Sequence, residues 1–145
     1  MSKMISGRRK VLAALCAWVF AYAVPAFAQD PQLSLAKTAA LDWLALADAG
    51  DASGTYVNAT QRFRATMPME NWAGVLKTAR DNYGAVTSRT SIAVTRPEPS
   101  KDIPPGEFAL VAFRTEFAKR STGTETLTME REPDGKWRVV GYMMK

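Results

Sequence analysis

Histidine is absent from the 145-residue sequence, and the one cysteine, Cys16, falls within the first 28 residues. Without histidine, Ser-His-Asp and Cys-His catalysis, the common zinc ligand sets and the easiest general base near neutral pH are excluded. Without a cysteine beyond residue 28, the rest of the chain has no disulfide, thiolate metal site or thiol nucleophile. Acid-base chemistry would fall to carboxylate, lysine, tyrosine or arginine side chains, and neither a cofactor nor a metal is expected. The 117 residues that follow must be held by a hydrophobic core alone, which their number permits.

The net charge of +5 is unevenly placed. Lys3, Arg8, Arg9 and Lys10 stand in residues 1–28 without an acidic partner, and setting those four aside leaves 15 basic against 14 acidic residues. The remainder has no basic field, so nucleic acid is not an expected partner. A positive start, the apolar run Val11 to Val24 and the small residues of Ala26-Phe27-Ala28 form the pattern of a cleavable secretory signal, with the cut expected between Ala28 and Gln29. The run is shorter than the roughly 20 residues that span a bilayer, so no membrane span is expected after cleavage. Leu15 before Cys16 is too large for a lipidation site, and the residues after Arg8-Arg9 match a twin-arginine signal only in part. The expected organisation is a signal peptide over 1–28 and one domain over 29–145, in the periplasm or secreted.

Leu35 to Ala49 places Ala36, Ala40, Trp43, Leu44 and Ala47 at helical spacing before Gly50, which predicts a helix. Asp51 or Ser53 can cap a second helix running toward Phe63, and Pro68 opens a third through Trp72, Leu76 and Tyr83 to Gly84. The helical period then stops. Val86 to Thr95 reads as a strand, Arg96 to Gly106 as a loop held extended by four prolines, and Glu107 to Phe117 as a central strand with apolar residues on both faces. Thr124 to Met144 is a hairpin signal around Pro133-Asp134-Gly135, in which Gly141 can mark a bulge. The expected fold is α+β: three helices packed on one face of a curved four-stranded antiparallel sheet.

Trp43-Leu-Ala-Leu-Ala-Asp-Ala-Gly-Asp51, Trp72 with Arg80, Gly84 to Arg89, Pro105 to Phe108, Phe117 to Lys119, Glu125-Thr126 and Gly135 to Tyr142 together resemble the bacterial exported domain-of-unknown-function family 4019. The chain departs from that pattern after Gly50-Asp51, where Ala52 and Thr55-Tyr56 stand in place of a tyrosine and a Ser-Trp pair. The resemblance implies export and an α+β scaffold. The element order is also similar to the nuclear-transport-factor-2-like (NTF2-like) or cystatin-like cone, whose members include isomerases, dehydratases and silent binding modules.

Two readings follow. The first is a non-catalytic exported binding or accessory domain, with a protein or small-molecule partner in the cell envelope or a second copy bound through the open sheet face. The second is a small cone-fold lyase or isomerase, using a buried carboxylate from Glu116 or Glu125 and a phenol from Tyr56 or Tyr83. Glu116 and Glu125 can instead pair with Arg114, Lys119 or Arg120 as structural ions, or face water. Arg80 and Arg89 are candidate anion ligands, but no glycine-rich phosphate loop accompanies them, and Arg80 can instead anchor Asp42, Asp48 or a sheet glutamate. Trp43, Trp72 and Trp137 suit either a shared core or an aromatic cage. The cavity between sheet and helices would separate the two readings.

Overall fold

The computed structural model describes residues 30–120 and 122–145. The proposed signal peptide over 1–28 lies outside the described residues. Helices α1 (Pro31–Asp48), α2 (Ala52–Val57), α3 (Gln61–Thr66) and α4 (Met69–Tyr83) precede strands β1 (Val86–Thr95), β2 (Glu107–Phe117), β3 (Gly123–Arg131) and β4 (Trp137–Met144). Among the described residues no helix is long and apolar enough to cross a membrane.

Helix α1 starts four residues before the periodic apolar pattern because Asp30 caps it, accepting from the Gln32 amide at 2.9 Å, and Pro31 supplies the first helical dihedral. The second expected helix is two helices, so the expected count of three becomes four. Asp51 caps α2 through the Gly54 amide at 2.7 Å. The chain then leaves helical geometry at Asn58, and Ala59 bridges in parallel to Val139 while the Thr60 amide donates to the Val139 carbonyl at 2.9 Å. The Thr60 hydroxyl restarts the chain as α3 by accepting from the Phe63 amide at 3.0 Å. A backbone bond to the sheet thus competes successfully with one continuous, weakly helical segment.

The strands form an antiparallel meander in the order β1-β2-β3-β4. Val111, Phe113, Thr115 and Phe117 of β2 are buried, as are Glu125, Leu127 and Met129 of β3. Of these, Val111, Phe113, Leu127 and Met129 share one core with Ala36, Ala40, Trp43, Leu44 and Ala47 of α1, Phe63 of α3, and Trp72 and Leu76 of α4. The alanines allow α1 to approach the sheet closely, and each fully buried leucine contributes about 2 kcal/mol. Register shifts interrupt the ladder at Val86/Ser88 and Ser91/Ala93 in β1 and opposite Thr128/Met129 in β4. Each inserts an extra residue and bends its strand.

Gly84 ends α4 with φ 82° in the left-handed region, and a Cβ there would sit 2.9 Å from the Lys119 Cγ and 3.1 Å from the Lys119 backbone nitrogen. Gly50, at φ 72°, has nothing within 4 Å of its would-be Cβ. Gly84→Ala is therefore expected to lower stability by roughly 2–3 kcal/mol, and Gly50→Ala by about 1 kcal/mol for the dihedral alone. Urea denaturation of the two variants checks the difference.

Candidate functional site

Glu125 enters the interior from β3, paired across the sheet with Phe113 and Met144. Its side chain is wholly buried, so the carboxylate needs donors from protein. Thr115, two residues from Phe113 on the same face of β2, donates its hydroxyl to Oε2 at 2.6 Å. Tyr142 of β4 donates its phenol to Oε1 at 2.7 Å. From β1, Arg89 brings Nε and Nη2 within 2.8 Å of Oε2, and from α4, Arg80 Nη1 reaches Oε1 at 3.5 Å.

The same two guanidinium groups hold the end of α1. Arg89 forks onto Asp48 through Nη1 at 2.7 Å and Nη2 at 3.0 Å. Burial opposes the Arg89 charge, but hydrogen bonding to Asp48 and the charges of Glu125 and Asp48 outweigh it and raise this group above its ordinary pKa. Arg80 Nε donates to the Ala47 carbonyl at 3.2 Å. Its Nη2 lies 3.1 Å from Asp48 Oδ1 without hydrogen-bond geometry, so that contact is an ion pair only. Two cations and two carboxylates cancel, and α1, α4, β1, β2, β3 and β4 meet at one polar knot.

Tyr142 is flanked by Trp43 at 5.3 Å and Trp72 at 6.4 Å between ring centroids. Burial, and then the Glu125 charge, push its phenol above the ordinary value of 10, so the proton stays on the tyrosine and the bond runs from phenol to carboxylate. The two indoles are fixed by one residue. Trp43 Nε1 donates to the Thr55 carbonyl at 2.9 Å and Trp72 Nε1 to the Thr55 hydroxyl at 2.9 Å.

Three candidates are corrected: Glu116, Tyr56 and Tyr83 do not meet Glu125 in one site. Glu116 points to the outer face and is exposed, because it is one residue out of phase with the inward Thr115 and Phe117. Tyr56 donates to the Arg64 carbonyl at 3.2 Å and packs edge-on to Phe63, away from Glu125. Tyr83 lies 5.0 Å from the Phe117 ring under the Arg120 guanidinium. Asp42 is exposed. Arg80 and Arg89 face carboxylates of their own chain. Trp43 and Trp72 are in contact at 5.7 Å, while Trp137 joins the core from elsewhere and donates to Gln32 Oε1 at 3.2 Å.

The phenol at Glu125 is Tyr142, not Tyr56 or Tyr83. Strict alternation from Trp137 and Val139 turns it outward, but Gly141, not Val140, pairs with Thr128, and this shift brings Tyr142 opposite the inward Leu127. The glycine was the available signal. Cavities lie elsewhere: a groove of about 560 Å³ between α1 and β1, one of about 320 Å³ under the proline-rich loop, and one of about 190 Å³ beside Arg80 between α2 and α4. Neither Glu125 nor Tyr142 lines any of these three. No group of three Asp, Glu, Cys or His side chains is placed to hold a metal among the described residues.

The model of the family described as "Protein of unknown function (DUF4019)" matches residues 39–142. The chain belongs to the DUF4019 family. No curated protein matches it. A ketosteroid isomerase-like protein from Erwinia carotovora atroseptica superposes with a TM-score of 0.56 at 16% identity, covering 80% of this chain and 96% of the other. Aln2 from a Streptomyces species superposes at 0.50 with 14% identity, covering 81% and 92%. At these identities the likeness concerns fold: this DUF4019 protein is α+β with the ketosteroid isomerase and NTF2-like architecture. Thr55 is the residue that fixes both indoles beside the knot.

The raised phenol gives a pH test. A folded-state proton held above the unfolded value stabilises fully below pH 10 and is lost as pH rises past it. Tyr142→Phe, which leaves Glu125 one donor short, is expected to cost about 1–3 kcal/mol at pH 8. The gap to the wild type narrows at pH 11, as read from urea midpoints at both values.

Proposed function

We propose that this protein is an exported binding or accessory domain of the cell envelope without catalytic activity. The observation that supports it is the saturation of Glu125. A general base needs a free lone pair within reach of a substrate proton. Here both oxygens are occupied by two guanidinium groups, a threonine and a tyrosine, and the side chain is wholly buried. The acid and the phenol that a lyase or isomerase would need are in contact, yet they serve as fasteners between helices and sheet. Arg80 and Arg89, the cations that would receive an anionic ligand, are engaged by Glu125 and Asp48.

Export is carried by the amino-terminal pattern, with the cut between Ala28 and Gln29. Partners are then a protein or small molecule of the envelope. A second copy on the outer sheet face is the other candidate, and the row Ala93, Ala112, Thr126 and Met143 across all four strands gives it an uncharged centre.

Glu125→Gln separates fastening from catalysis. Removing one partner of a buried charge cluster leaves the guanidinium groups uncompensated and is expected to cost about 3–5 kcal/mol, whereas Glu116→Gln on the exposed face stays within about 0.5 kcal/mol. An unchanged melting temperature for Glu125→Gln would favour the proton-transfer reading instead. After cell fractionation the protein is expected in the periplasm with its chain beginning at Gln29, and recovery in the cytoplasm with an intact start at Met1 would overturn export.

A further inference from the structure

Among the described residues β1 is an edge strand, paired with β2 on one side and with no strand on the other. Along it runs the groove of about 560 Å³, lined by Leu33, Lys37 and Leu41 of α1 and by Ile92, Ala93 and Val94 of β1. The irregularity between Ser91 and Ala93 takes Ile92 out of the ladder, and Ile92 is 55% and Leu41 40% exposed. Natural edges are guarded by lysine, proline, bulges or an inward-pointing charge. β1 has two bulges and the inward Arg89, which is committed to Glu125 and Asp48, but neither lysine nor proline stands along it. At one end of the groove the Asp30 carboxylate is held by Arg96 at 2.7 and 3.1 Å. Lys37 is therefore the charged group of the groove without an opposite charge among the described residues.

We propose that this groove binds an extended peptide of a partner protein, which adds a strand to β1, sets alternate apolar side chains against Ile92 and Leu41, and places an Asp or Glu on Lys37. The proposal rests on the reading of the protein as a binding domain and names the chemistry of its partner. An exposed edge supplies backbone hydrogen bonds that are indifferent to sequence, while recesses for alternate side chains supply selection. Side chains on one face of a strand recur about every 6.6 Å, so a short peptide presents its apolar face to Ile92 and Leu41 together. The unbalanced positive charge of Lys37 decides for an acidic residue over a basic one. It also decides against a second copy of this chain, because β1 contains no carboxylate to offer Lys37.

End-blocked octapeptide pools, apolar at alternate positions and carrying Glu, Gln or Lys at one central polar position, test this when titrated into nitrogen-15-labelled protein. The Glu pool is expected to bind saturably with shifts at the amides around Lys37 and Ile92, at least tenfold more tightly than the Gln pool. Lys37→Glu transfers the preference to the Lys pool, and Ile92→Arg abolishes binding. Both variants keep the wild-type melting temperature, since Ile92 is exposed and Lys37 is half-buried without an ion-pair partner among the described residues. Absence of saturable binding at millimolar peptide, equal binding of the Glu and Gln pools, or shifts gathered on the outer sheet face would each overturn the proposal, as would pairing of β1 with a second β1. The stability of Glu125→Gln is independent of this groove, so failure of the peptide with Glu125 still a fastener removes the partner and not the binding-domain reading.

Discussion

A carboxylate with no contact with water must find its solvation inside the protein, and in this fold Glu125 dictates what surrounds it. It requires donors on both oxygens, and they come from β1, β2, β4 and α4. Those donors carry positive charge that must in turn be balanced, and Asp48 at the end of α1 does so. The position of α1, the direction of α4 and the bulge in β4 are therefore coupled. A hydrophobic residue in place of Glu125 would bury more cheaply, but it would leave Arg80, Arg89 and Asp48 without their common partner.

The knot also shapes what the molecule is able to do. In a cone architecture the space between sheet and helices is where a ligand could enter. Here that space holds Tyr142 between Trp43 and Trp72, whose indole N–H groups are both tied to Thr55. The polar groups suited to chemistry are spent on one another, while the unspent features lie at the rim: the free edge of β1, the exposed Ile92 and the lone Lys37. The fold-level likeness to a ketosteroid isomerase-like protein thus coexists with an interior filled by its own side chains.

Much of this was legible in the residues. Period 3.6 ending at Gly84, then β-branched alternation, then Pro-Asp-Gly between two alternating runs, was enough for helices followed by a meander. Glu125, Arg80 and Arg89 are each legible as candidate polar residues, though not as one cluster. What escaped were features decided by single contacts between distant segments. The break between α2 and α3 depends on the Thr60 amide finding the Val139 carbonyl, and no local propensity encodes that partner. Tyr142 escapes because one extra residue in β4 inverts every face after it. Glu116 was misplaced despite a usable signal: Phe113 and Phe117 share a phase with Thr115 that excludes it.

The central claim is that Glu125 and Arg89 are one energetic unit rather than a base and a bystander. A double-mutant cycle in urea with Glu125→Gln, Arg89→Met and the double variant measures it directly. A coupling free energy of at least about 1 kcal/mol is expected, because each single change strands the other group's buried charge. Additivity within about 0.3 kcal/mol would contradict it.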